Sequence, residues 1–103
     1  MNKEDLKYLL LNFTNNKKDI EKNVEKIYNK YYSRRQNFQS YQESKKKLAQ
    51  LIIEGNFPNA KDWNIIATKE GFYSSNSIKF IEECSWKEIE KKITQEIKRL
   101  LKT

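Results

Sequence analysis

The side chains best suited to recognition chemistry lie in residues 74–79, which read SSNSIK. Asparagine can form a bidentate pair with adenine, and serine can bond to a phosphate or to a base edge. The same residue types also cap helices, so a purely structural role for this run remains open. On the functional interpretation, nucleic acid would be contacted by Ser74, Ser75, Asn76, Ser77 and Lys79.

Catalytic chemistry has few candidate residues in this chain. Its 103 residues include no histidine and a single cysteine, Cys84, which excludes His-dependent triads, His-ligated metal sites and zinc fingers. The adjacent carboxylates Glu82 and Glu83 would point in different directions on a helix and are poor metal ligands. Neither of the two glycines lies in a phosphate-binding loop. We therefore expect no enzyme activity, no metal, no cofactor and no small-molecule substrate.

The charge of the chain favours an anionic partner. Lys and Arg number 21 against 14 Asp and Glu, a formal net charge of +7. Basic side chains near phosphates release counterions and give salt-sensitive association, although a solvated helical surface can carry this charge without a partner. Residues 30–47 are especially basic, and we include four of them in the predicted DNA-binding surface: Arg34, Arg35, Lys45 and Lys46. For Lys45 and Lys46, a solvated turn of helix is an equal alternative.

Helical spacing of apolar residues dominates the N-terminal half. It predicts amphipathic helices over residues 4–13, 17–32 and 41–54, and no segment alternates at period two for long enough to form a strand. The predicted fold is all-α, with five or six helices in a compact bundle. Residues 1–36 would form an N-terminal helical extension or hairpin. Residues 37–103 would form a helix-turn-helix domain with a long C-terminal helix.

Capping residues divide the C-terminal half into three helices. N-cap side chains and a glycine suited to the left-handed position mark their ends. These residues are Asn59, Gly71, Ser74 or Ser75, and Ser85 with Glu88. Two helices joined by a short turn are typical of a helix-turn-helix unit, which we predict over residues 59–82. Its second helix would enter the major groove.

The motifs of residues 57–89 occur in an ordered series: a proline, a helix with an early aromatic residue, a glycine turn, a short helix, and a Ser-Trp pair. The residues concerned are Pro58, Trp63, Gly71, Ser75, Ile78, Phe80, Ser85 and Trp86. This series resembles the homing-endonuclease-associated repeat, a helical DNA-binding module of HNH-type homing enzymes and of stand-alone proteins of phages and mobile elements. Glu83-Cys84 stands where the repeat usually has a glycine before Ser-Trp.

The resemblance implies two groups of residues with different roles. The DNA-facing group would be Ser74, Ser75, Asn76 and Lys79. The core of the module would be Trp63, Ile78, Phe80 and Trp86.

Together these features predict a non-catalytic protein that binds double-stranded DNA, as a regulator or accessory protein of a phage or mobile element. The alternative is a protein-interaction module, such as a small phage-encoded inhibitor of a host nucleic-acid machine. A protein partner or a homodimer contact would then use the N-terminal helices. The lone cysteine and the short apolar runs predict a cytoplasmic protein with no membrane partner.

Aromatic residues interleaved with Arg34 and Arg35 give a third alternative, the stacking of single-stranded bases. They are Tyr28, Tyr31, Tyr32, Phe38 and Tyr41. The competing interpretation is that Tyr28, Tyr31 and Tyr41 dock the N-terminal helices while their hydroxyls stay in water.

Overall fold

The computed structural model of the protein describes residues 2–32 and 40–102, and this part of the chain forms six α-helices. They are α1 (Lys3–Leu10), α2 (Lys17–Tyr31), α3 (Ser40–Ile53), α4 (Ala60–Glu70), α5 (Ser75–Glu82) and α6 (Trp86–Leu101). The described residues contain no strand, so the all-α prediction is confirmed. The first helix ends at Leu10 rather than at Phe13, because the chain turns over residues 11–13 at the start of a polar stretch.

Side-chain caps open the three C-terminal helices. The Asp62 N–H donates to Asn59 Oδ1 (2.8 Å) at the start of α4, and the Glu88 N–H donates to Ser85 Oγ (3.4 Å) at the start of α6. Both predicted caps are therefore confirmed. Of the two candidates for α5, Ser74 is the cap, since its Oγ accepts the Ser77 N–H (3.2 Å). Such a cap contributes about 1 kcal/mol to stability.

Two of these helices end in a left-handed residue. Gly71 closes α4 with a φ of 77°, as predicted, and its N–H donates to the Ala67 carbonyl (2.8 Å). Glu83 closes α5 with a φ of 55°, and it is the one non-glycine residue with positive φ in the described part of the chain. A residue with a Cβ is strained in this conformation by about 1–2 kcal/mol. The backbone therefore favours glycine at position 83, and the chain has glutamate there.

Opposite stability changes are expected at these two positions. We predict that Glu83→Gly raises the free energy of unfolding by about 0.5–1 kcal/mol, because the relief of backbone strain exceeds the entropy cost of glycine. The substitution also removes an anion from a helix C-terminus, which is favourable. Gly71→Ala should lower it by about 1 kcal/mol through backbone strain alone, since no atom lies within 4 Å of the added Cβ. Urea denaturation measures both changes. A loss of stability in Glu83→Gly would contradict the strain assigned to Glu83.

One hydrophobic core joins the N-terminal helices to α6. α2 packs on α1, α3 and α6, and α6 also packs on α3 and α5. The buried face of α6 carries residues at four-residue steps, namely Ile89, Ile93, Ile97 and Leu101. The buried Asn23 ties the end of α6 to α2, because its Nδ2 donates to the Leu101 carbonyl (2.9 Å). The long C-terminal helix is thus held along its length, and α4 and α5 extend from it.

Candidate nucleic-acid interface

The turn between α4 and α5 is built on Trp63. This side chain is fully buried, and its ring stacks on Phe72 with centroids 5.8 Å apart and lies 6.2 Å from Trp86. The Trp63 Nε1–H donates to the Tyr73 carbonyl (2.9 Å). One residue of α4 therefore supplies both the apolar contact and the hydrogen bond that fix the turn.

Two further hydrogen bonds fix the start of α5. The Ser75 N–H donates to Asn64 Oδ1 of α4 (2.7 Å). The Tyr73 N–H donates to Ser44 Oγ of α3 (2.9 Å), and Ser44 is buried. The turn before α5 and the first residue of the helix are therefore held from two other helices, which fixes the position of the helix start.

The outer side of α5 is exposed along its whole length. It consists of Asn76, Ser77, Phe80 and Ile81, which we call the outward α5 face. Phe80 is 84% exposed and Ile81 is 45% exposed. The N-terminal half of this face offers amide and hydroxyl groups, and the C-terminal half offers a bare aromatic ring. These are groups that can pair with adenine and touch a thymine methyl in a major groove.

The sequence prediction for α5 is wrong at two positions. Ser75 is 2% exposed, so its side chain cannot contact DNA in this conformation. Phe80 does not belong to the core, although Ile78 is fully buried as predicted. The physical reason is helical geometry: residues two positions apart lie on nearly opposite sides of a helix, so burying Ile78 turns Phe80 outward.

The other predicted residues of this run remain accessible to different degrees. Asn76 and Ser77 are exposed, and Lys79 is half-buried beside them. Ser74 is exposed but already used as a cap, and its hydroxyl also bonds to Ser77 Oγ (3.1 Å). Ser74 thus acts in positioning α5, and Asn76 is an exposed polar side chain in its first turn.

The four cations predicted to bind DNA in residues 30–47 form two groups: two lie outside the described residues, and two form ion pairs. Arg34 and Arg35, with Phe38, lie outside the described residues. Lys45 and Lys46 are held by carboxylates, with Lys45 Nζ 3.8 Å from Glu82 Oε1 and Lys46 Nζ 3.9 Å from Glu43 Oε1. A role of either lysine in binding phosphate would therefore compete with these ion pairs.

The acids beside Lys45 complete an ion-pair network between helices. Glu82 also accepts a hydrogen bond from the Tyr41 hydroxyl, and Glu96 is paired with Lys30. Partial burial opposes ionisation of Glu96, but the hydrogen bond and charge of Lys30, aided by Lys45, lower the pKa of Glu96. The charges of this cluster are therefore balanced by one another, and no bound ligand is needed to explain them.

The tyrosines of α2 are packing residues. Tyr31 is 5% exposed, and its hydroxyl oxygen is buried, as is that of Tyr32, the C-cap residue that follows α2. Burial is the main cause that raises the pKa of both phenols, and the charge of Glu96 adds to it at Tyr31. The expectation that the Tyr31 hydroxyl stays in water is therefore wrong. The buried Tyr31 ring is also closed to base stacking.

The solvent-facing side of α6 is strongly basic, which the sequence analysis missed. Its exposed cations are Lys87, Lys91, Lys92, Lys98 and Arg99, followed by the C-cap residue Lys102, and its exposed acids are Glu88 and Glu90. Among the described residues, ion pairs involve lysines of α1, α2 and α3, and none involves a basic residue of α6. The spacing of these cations along the predicted helix could have shown that they lie on the side opposite its apolar face.

Comparison with known proteins identifies no relative. No family model matches the chain, and no curated protein or solved structure is significantly similar to it. In the described part of the chain, no histidine, cysteine and carboxylate side chains form a group of three that could hold a metal ion. No helix there has the length and apolar character needed to cross a bilayer.

Proposed function

We propose that the protein binds double-stranded DNA without catalysis and that α5 enters the major groove. The observation that carries this proposal is the outward α5 face, where exposed Asn76 and Ser77 begin a helix whose first turn is held from α3 and α4. Asn76 would pair with an adenine edge, and Phe80 would contact a thymine methyl. A helix start whose backbone is held in this way favours such contacts because little loop ordering remains to be completed on binding.

Charge and resemblance support the same proposal. The net charge of +7 favours association with phosphates. The left-handed backbone at Glu83 agrees with the glycine that the homing-endonuclease-associated repeat has before Ser-Trp. We extend the proposal to a regulatory or accessory role in a phage or mobile element, in the cytoplasm.

Salt-dependent binding to duplex DNA tests the proposed function. In a fluorescence-anisotropy titration with a mixed-sequence duplex, we expect a Kd of about 1–100 μM near physiological salt. Four phosphate contacts would make the affinity fall about 100-fold between about 50 and 200 mM salt. Absence of binding at the lower salt concentration would overturn the proposal.

A protein-interaction module is the second candidate, and exposed apolar side chains favour it. Ile65 of α4 is 63% exposed, in addition to Phe80 and Ile81 of α5. Exposed apolar side chains mark protein contacts when they form a contiguous patch. Under this alternative, Phe80→Ala should abolish capture of the partner in a pull-down, Asn76→Ala should change it little, and duplex DNA should not bind.

A further inference from the structure

The outward side of α6 carries several exposed cations that have no ion-pair partner among the described residues. Lys87, Lys91, Lys98 and Lys102 follow one another at steps of four, seven and four residues, which places them in one row along the helix. Lys92 and Arg99 flank this row. None of the four row lysines has an ion-pair partner among the described residues. We call these four residues the α6 lysine row.

We infer that the α6 lysine row is the surface that contacts the phosphate backbone of duplex DNA, an inference that rests on the proposed function. On this inference, α6 supplies most of the affinity for DNA and α5 recognises the bases. It also replaces Lys45 and Lys46, which are held in ion pairs, as the main phosphate contacts.

The dimensions of the row suit a backbone strand. At about 1.5 Å per residue, the row extends over about 22 Å, with about 6 Å between the two lysines of each end pair. Phosphates of one B-DNA strand succeed one another every 3.4 Å along the axis, more closely than the lysines of the row, so each of the four lysines can have a phosphate within reach. Lysine is suited to this contact because it binds phosphate as a flexible point charge.

The opposite side of α6 holds the row in place. Ile89, Ile93, Ile97 and Leu101 are buried in the core, and the Trp86 Nε1–H donates to the Pro58 carbonyl at the start of the helix (2.9 Å). Substitutions in the exposed row therefore leave the core untouched. The row can be tested by mutation in a folded protein.

The outer side of α2 provides a matched contrast. Lys17, Lys18, Lys22 and Lys26 are exposed there, as are the acids Glu21 and Glu25. These residues carry an excess charge of +2, whereas the six cations and two acids on the outward side of α6 carry +4. If total charge alone attracted DNA, loss of four lysines from α2 or from α6 would have the same effect.

The test compares two variants of equal net charge. The first carries K87Q, K91Q, K98Q and K102Q, and the control carries K17Q, K18Q, K22Q and K26Q. Binding of a mixed-sequence duplex is measured by anisotropy at several salt concentrations. For the α6 variant, we expect the slope of log K against log salt to be shallower by about 3.6, because about 0.9 is lost for each phosphate contact. For the α2 control, the slope should change by less than about 1.

Folding is checked separately by circular dichroism. If the α6 variant fails to fold, the double variants K87Q/K91Q and K98Q/K102Q are measured in its place. The slope of log K against log salt for each should be shallower by about half of the decrease expected for the quadruple variant.

The other outcomes separate the inference from the proposed function. If both variants lose slope equally while the wild type binds DNA, the inference is overturned and the proposed function stands. If the wild type does not bind DNA, the proposed function is overturned together with the inference. In that case, α6-dependent binding to vesicles of phosphatidylserine and phosphatidylcholine would reassign the row to a membrane surface.

Discussion

Replacement of Trp63 by alanine is expected to lower the free energy of unfolding by about 3–5 kcal/mol, the usual loss for a buried tryptophan. Trp63 is fully buried between Phe72 and Trp86, and its indole N–H has a partner in the Tyr73 carbonyl. The substitution removes packing from both sides of the ring and releases the turn before α5. Since small domains are stable by about 5–15 kcal/mol, a large part of the native stability would be lost.

Urea denaturation followed by circular dichroism measures this effect. Ile65→Ala is the control on the same helix, because Ile65 is 63% exposed and its loss should change stability by less than about 0.5 kcal/mol. Equal effects of the two substitutions would contradict the central position of Trp63 in this part of the core.

The Asn76→Ala variant should lose discrimination between DNA sequences. A bidentate pair between asparagine and adenine contributes about 1–3 kcal/mol, so the variant should bind a selected preferred duplex about 5- to 150-fold more weakly. Its binding to mixed-sequence DNA should change little, because the phosphate contacts remain. Stability should also be unchanged, since Asn76 is exposed.

Selection of preferred duplexes with the wild type, followed by anisotropy titrations of both proteins, provides the measurement. Asn12→Ala is the matched control, because Asn12 is an exposed asparagine in the turn after α1. A variant that retains full preference for the selected duplex would show that α5 does not read sequence.

The helices were predictable because their signals are local. Apolar residues at three- and four-residue steps define the buried faces, as on α6, and cap residues such as Asn59 and Ser85 need only the first turn that follows them. The left-handed end of α4 was likewise encoded by Gly71. The caps and the left-handed end depend on chain neighbours within about four residues, and the apolar spacing can be read along the sequence, although the buried faces gain their stability from packing on other helices.

The errors arose where spatial neighbours decide the outcome. Ser75 is buried because α5 docks on Asn64, a contact between helices that serine itself does not reveal. Phe80 was assigned to the core by resemblance, although its two-residue distance from Ile78 already pointed to the opposite side of the helix.

The basic side of α6 was missed for a different reason. The net charge of a sequence segment counts every acid equally, including Glu82 and Glu96, which are paired with lysines of α3 and α2. Only the positions of the charges on the folded helix separate these acids from the exposed lysines. The predicted arginines, Arg34 and Arg35, lie outside the described residues, and their role stays a prediction.

The most direct test of the central proposal is chemical-shift mapping of the ¹⁵N-labelled protein during titration with duplex DNA. If α5 enters the groove, the largest shifts should occur at the backbone amides of Asn76 and Ser77 and at the residues that follow them on the outward α5 face. The buried residues of α2, including Tyr31, should change little. Shifts confined to α1 and α2, or an unchanged spectrum at saturating DNA, would contradict DNA binding through α5.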